Sequence, residues 1–178
     1  MSYRGLYVFV EGNDDERFFQ CVLLPELKKS YDYIGIMKYA EEEKEKIESF
    51  LDSIKAMIGV DYIFVHDIDN SPCVTTKKEK LYNWLKNLDK EKIVVVIKEI
   101  ESWYLAGLCD DNLQHLKIRM RDVSSTESIT KEDFNSLIPQ KYDSRIDFMQ
   151  EVLKHFSIDV AKQKNRSFKY FYEKYIGQ

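Results

Sequence analysis

Hydrophobic positions in this chain keep two rhythms that alternate. Leu6, Val8, Phe9 and Val10 form a short apolar run that reads as a strand buried on both faces. Phe18, Phe19, Val22 and Leu23 follow at helical spacing, with Pro25 and Lys28-Lys29-Ser30 marking the end of that helix. Residues 31–39 read as a second strand. Residues 41–58 read as a helix that places Ile47, Phe50, Leu51, Ile54, Met57 and Ile58 on one face, with Gly59 stopping it. Residues 60–66 are a third strand, and residues 77–88 a helix with Leu81, Trp84, Leu85 and Leu88 turned inward. Residues 92–98 are the fourth strand and the most hydrophobic, so a central place is expected for it. A short helix carries residues 103–108. Strands alternating with helices predict an α/β fold of the Rossmann-like kind. It would have a mainly parallel sheet of about four strands, flanked by helices and joined by right-handed crossovers.

The rhythm changes past Cys109. Residues 124–131 read as an exposed loop. Thr130 caps a short helix with Asp133 at its third position, and Pro139 breaks that helix. Residues 144–156 are amphipathic through Ile146, Met149, Val152, Leu153 and Phe156. A last helix over 165–176 carries Phe168, Phe171, Tyr172 and Tyr175. The expected organisation is an α/β domain over residues 1–110, with a helical C-terminal extension over 111–178 packed on the same domain.

Composition narrows the class. The 178 residues are enough for a proper core, and charged residues reach 33%. Cys21, Cys73 and Cys109 are odd in number and have no metal-ligand spacing, so they read as reduced thiols of a cytoplasmic protein. The longest apolar runs are strand-sized, so neither a signal peptide nor a membrane span is expected. A net charge of −4 excludes a general polyanion binder, yet residues 139–178 carry eight Lys and Arg against five Asp and Glu. A basic tail on an acidic body can be a phosphate-contacting edge or a solvated helix face.

Chemistry concentrates where strands end. The first strand runs into Glu11-Gly12, the third into Asp67-Ile68-Asp69, and the fourth into Glu99-Ile100-Glu101. Ligands bind outside the carboxyl ends of strands in open α/β sheets, so these acids can converge. Asp67 and Asp69 share a side by alternation, and Asp15 lies one helical turn after Glu11. Clustered carboxylates repel unless a cation neutralises them, and hard oxygen ligands suit Mg2+ or Mn2+. Such ions can stabilise both the attacking and the leaving oxygen of a phosphodiester. The competing reading of each acid is a helix cap or a loop residue.

Val10-Glu11-Gly12 with Asp15, followed by His66-Asp67-Ile68-Asp69, resembles the TOPRIM domain. That metal-binding module is shared by topoisomerases, bacterial primases, nucleases of the overcoming-lysogenization-defect family, recombination-repair proteins and a ribosomal-RNA maturase. The resemblance implies that Glu11 is the general acid/base or a metal ligand, that Asp67 and Asp69 hold the metal, and that Asp15 is a further acid of the nuclease branch. Ile100-Glu101-Ser102-Trp103-Tyr104-Leu105-Ala106 and Ser167-Phe168-Lys169-Tyr170-Phe171 look like motifs of small stand-alone TOPRIM-like proteins, some linked to phage defence. On that likeness Glu101 joins the site, with Glu99 as its competitor. The chain lacks the ATPase domain of many nuclease relatives, so a separately encoded ATPase partner is expected.

Two functions are open at this point. One is a Mg2+- or Mn2+-dependent nuclease acting on DNA or RNA. The other is a non-catalytic metal- or nucleotide-binding regulatory subunit. Arg119, Arg121, Lys162, Lys164, Arg166 and Lys169 are the candidates for nucleic-acid backbone contact, which positions a substrate without reading its sequence. His66 is expected to point into packing by alternation, Trp103 to lie in the core, and Lys98 to snorkel at the surface.

Overall fold

The computed structural model describes residues 3–120 and 124–177. The chain resolves into two compact units, Met1–Val95 and Val96–Gln178. Its sheet has four parallel strands: β1 (Gly5–Val10), β2 (Tyr33–Lys38), β3 (Val60–Asp67) and β4 (Ile93–Val96). Their order is β2-β1-β3-β4. Gly5 to Val10 pair in register with Tyr33 to Lys38 on one side, and Gly5 to Phe9 with Val60 to Phe64 on the other. β1 is therefore central, and the strand order reverses direction beside it. The topological switch point of the sheet lies between β1 and β3.

In the first unit, strand alternation sends Phe9, Tyr62, Phe64, Ile93 and Val95 to one face. There they form one core with Ile47, Leu51 and Ile54 of α3 (Lys44–Ala56) and Leu81 of α4 (Val74–Trp84). Phe9 stacks on Phe64 at 5.7 Å, and Tyr39 on Phe64 at 4.4 Å between ring centres. Burying a ring of this size stabilises by about 2 kcal/mol, so the core, and not the acids at the strand ends, holds the unit together. β4 is an edge strand, not a central one, although all four of its residues are buried. A continuous apolar run encodes burial on both faces and carries no information about lateral position.

Pro25 does not end the first helix. The chain passes from α1 (Asn13–Phe18) through a π-helical stretch (Phe19–Leu23) into α2 (Leu24–Leu27). Proline lacks an N–H and crowds the carbonyl four residues back, and a widened turn just before it relieves both problems. Met57 and Ile58 lie beyond the end of α3 and are 47% and 96% exposed, not inward. Gly59 turns the chain there at φ 77, a left-handed conformation that glycine adopts without strain. Among the described residues no helix is long and apolar enough to cross a membrane.

The second unit is helical: α5 (Glu101–Ala106), α6 (Asp110–Leu116), α7 (Lys131–Ser136), α8 (Arg145–Lys154), α9 (Ile158–Lys164) and α10 (Arg166–Tyr175). Thr130 caps α7 by accepting the Asp133 N–H, as its sequence spacing predicts. Trp103 is fully buried and meets Phe168 edge to face at 5.4 Å. A buried polar network joins the two motifs of this unit. Asn165, 1% exposed, donates to the hydroxyls of Ser102 and Thr126, both at 3.3 Å. Its carbonyl oxygen accepts the Ser167 hydroxyl at 2.8 Å and the Phe168 N–H at 3.0 Å. Ser167 in turn accepts the Trp103 indole N–H at 2.8 Å.

Candidate functional site

Glu11 follows the last residue of β1 and Asp67 is the last residue of β3, so the two flank the switch point. Gly12 is the N-cap of α1 in an extended conformation, and the Asp15 carboxylate reaches back to accept the Gly12 N–H at 3.2 Å. The cap of this helix is thus Gly12 with Asp15. The Glu11 carboxylate accepts the Asp67 N–H at 3.0 Å. The same Glu11 oxygen lies 3.2 Å from Nδ1 of His66, and an Asp69 oxygen lies 3.9 Å from that nitrogen. His66 does share a face with Phe64, as alternation requires. Its ring nevertheless faces the acids and not the packing that alternation predicts, with Nδ1 also 2.9 Å from the Asp67 carbonyl oxygen.

Burial pushes the Glu11 carboxyl up, but the hydrogen bond and charge of His66, with the Asp67 N–H, hold it below the usual glutamate range. Tyr39 reports the whole cluster. Burial raises its phenol far above the ordinary tyrosine value, and the charges of Glu11, Asp15, Asp67 and Asp69 push it in the same direction. Its hydroxyl donates to the Val65 carbonyl at 2.9 Å. Four of the sequence-predicted acids therefore act on one phenol through their charge.

Asp69 takes a left-handed backbone conformation at φ 47, which aspartate tolerates better than most residues. Its carboxylate is held by the ammonium of Lys77 on α4. Among the described residues no three His, Cys, Asp or Glu side chains are gathered as a metal site. The donor chemistry suits a hard divalent cation, but in the arrangement at hand Asp69 is paired with Lys77 and Glu11 lies against His66.

No family model, curated protein or solved structure matches this chain.

Glu101 is placed in the second unit, 3% exposed, and its carboxylate accepts the Arg145 guanidinium at 2.5 Å. Arg145 also donates to Asn135 at 2.8 Å. Glu99 accepts the Lys131 N–H at the start of α7. Both acids thus have structural partners within their own unit. The basic tail is largely paired as well. Arg166 grips Glu127 through Nε at 2.9 Å and Nη2 at 2.9 Å. Lys162 pairs with Asp159 at 2.8 Å, Lys169 with Glu173 at 3.7 Å, and Lys164 donates to the Leu108 carbonyl at 2.6 Å. Arg119 lines a polar cavity of about 700 Å³ with Ser125, Ser128 and Ser136. Arg121 lies outside the described residues.

Sequence reasoning missed Tyr39, His66 and Lys77 as members of the site. Lys77 had a usable signal, because it sits four residues before the buried Leu81 and so on the inward face of α4.

Proposed function

We propose that this protein cleaves nucleic-acid phosphodiester bonds with Mg2+ or Mn2+ at the carboxylates of Glu11, Asp67 and Asp69. The observation that carries the reading is the meeting of Glu11 with the Asp67–Asp69 segment at the β1/β3 switch point, where open parallel sheets bind their ligands. The likeness of those residues to the TOPRIM pattern supports the same chemistry. Asp67 and Asp69 would hold the ion, Glu11 would hold or move a proton, and Asp15 would orient the first turn. A bound ion would supply charge stabilisation at the attacking and leaving oxygens. Glu11 is kept ionised by His66 and the Asp67 N–H, the state in which a carboxylate accepts a proton.

The test is incubation of the full chain with supercoiled plasmid, single-stranded DNA and transfer RNA, with and without Mn2+, beside Glu11→Gln and Asp67→Asn. Metal-dependent cleavage abolished by both substitutions is expected. Cleavage that persists in Glu11→Gln would argue for a contaminating nuclease.

A second reading is favoured by one observation, the pairing of Asp69 with Lys77. An acid cluster neutralised from within suits a non-catalytic regulatory subunit beside a separate ATPase. Mn2+ binding without turnover, together with an ATPase that co-purifies, would select it.

A further inference from the structure

Lys77 carries its charge where charge is costly. It is 6% exposed, and lysine is almost never buried to that extent without a partner. Its partner is Asp69, and the two ends of the pair differ sharply. The Lys77 side chain is 8% exposed and that of Asp69 is 54% exposed. The aspartate meets the lysine from the solvent side, on a loop turned by its own left-handed backbone. Only the aspartate end of this pair is placed to exchange one cation for another. Asp69 is also the outer acid of the pair expected to hold a metal.

We infer that Lys77 is the resident counter-cation of the acid cluster and sets its affinity for divalent ions: an ion gains Asp69 only by drawing it off the Lys77 ammonium. The inference rests on the metal-dependent reading above. A positive charge within the cluster disfavours a second cation, and in a partly buried setting the penalty is far larger than in bulk water. The lysine would thus hold the acids together when no ion is present and raise the concentration at which an ion enters.

The experiment is a Mn2+ titration of the full metal-free chain, followed by electron paramagnetic resonance of the free ion and without any substrate. Lys77→Met keeps the buried stem and removes the charge, and is expected to tighten Mn2+ binding by about tenfold or more. Lys77→Arg keeps the charge and is expected to bind as the native chain does, a contrast that a purely structural lysine would not give. Circular dichroism melting shows which variants fold, with Lys77→Gln taking the place of Lys77→Met if the latter does not. Binding equal to or weaker than that of the native chain in the neutral variant overturns the inference. If that binding is still lost in Glu11→Gln, the metal reading survives and only the role of Lys77 falls. If no form of the chain binds Mn2+ at millimolar concentration, both fall together.

Discussion

The carboxylate of Glu11 reaches from the end of β1 to the backbone N–H of Asp67 at the end of β3, at 3.0 Å. This bond ties the mouths of two adjacent strands and leaves Glu11 within 3.2 Å of His66. It makes the glutamate a fastener as well as the residue to which the proposed function gives the proton. The two roles separate by substitution. Glu11→Gln keeps an oxygen for the Asp67 N–H and removes the charge, so it is expected to melt within a few degrees of the native chain while abolishing metal-dependent cleavage. Paired melting and cleavage assays check both halves.

Glu11 also gives a signed pH dependence. Its carboxyl is held below the ordinary value in the folded state. Its contribution is therefore present above the unfolded glutamate pKa of about 4.3, and is lost as pH falls through the lower folded value. Urea midpoints measured from pH 7 down to acid should fall more steeply for the native chain than for Glu11→Gln.

Tyr39 acts at the other end of the scale. Its phenol is raised well above the usual value, so the folded state resists ionisation that the unfolded chain undergoes near pH 10. Stability from this group is intact below that pH and declines as pH rises towards the folded value. Tyr39→Phe should flatten part of the alkaline decline. At neutral pH it should cost about 1 kcal/mol for the hydrogen bond to Val65. Chemical denaturation at pH 7 and in the alkaline range tests both statements.

Glu101 and Arg145 call for an asymmetric result. Removing the guanidinium leaves a carboxylate that is 3% exposed without the Arg145 counter-charge, so Arg145→Ala is expected to destabilise by about 3 kcal/mol. Glu101→Gln should cost less, because it removes the buried charge itself. Thermal melts of the two variants suffice. Cleavage that survives Glu101→Gln would confine this acid to a structural part.

Cys73 precedes α4 and is exposed, with its thiol held below the ordinary cysteine value by the Thr76 hydroxyl and by backbone N–H groups. A larger thiolate fraction means faster alkylation. Iodoacetamide at neutral pH should label Cys73 before the exposed Cys21, and peptide mass spectrometry reads the order directly.

The α/β alternation was legible because each strand is a dense apolar run and each crossover helix keeps its period. Strand ends in acid were legible for the same reason, since the run stops abruptly at Glu11 and at Asp67. What stayed hidden was lateral. The edge position of β4 could not be read from a sequence that encodes burial and not neighbours. Lys77 was hidden because a lysine in a helix reads as surface, and only its spacing from Leu81 argued otherwise. Alternation predicts that His66 points into packing, but its ring meets Glu11 and Asp69, a tertiary contact that no local pattern encodes. Trp84, expected inward, is 39% exposed, because α4 ends there while Leu85 and Leu88 continue into the core.

Trp84 and Trp103 are the two tryptophans of the chain, and they fall one to each unit. One is substantially open to solvent and the other is sealed, with its indole N–H held by Ser167. The molecule thus carries two built-in fluorophores of opposite character. Acrylamide would quench the first in the native state and spare the second. A single emission spectrum recorded during denaturation would then tell whether the halves of the chain come apart together or in turn.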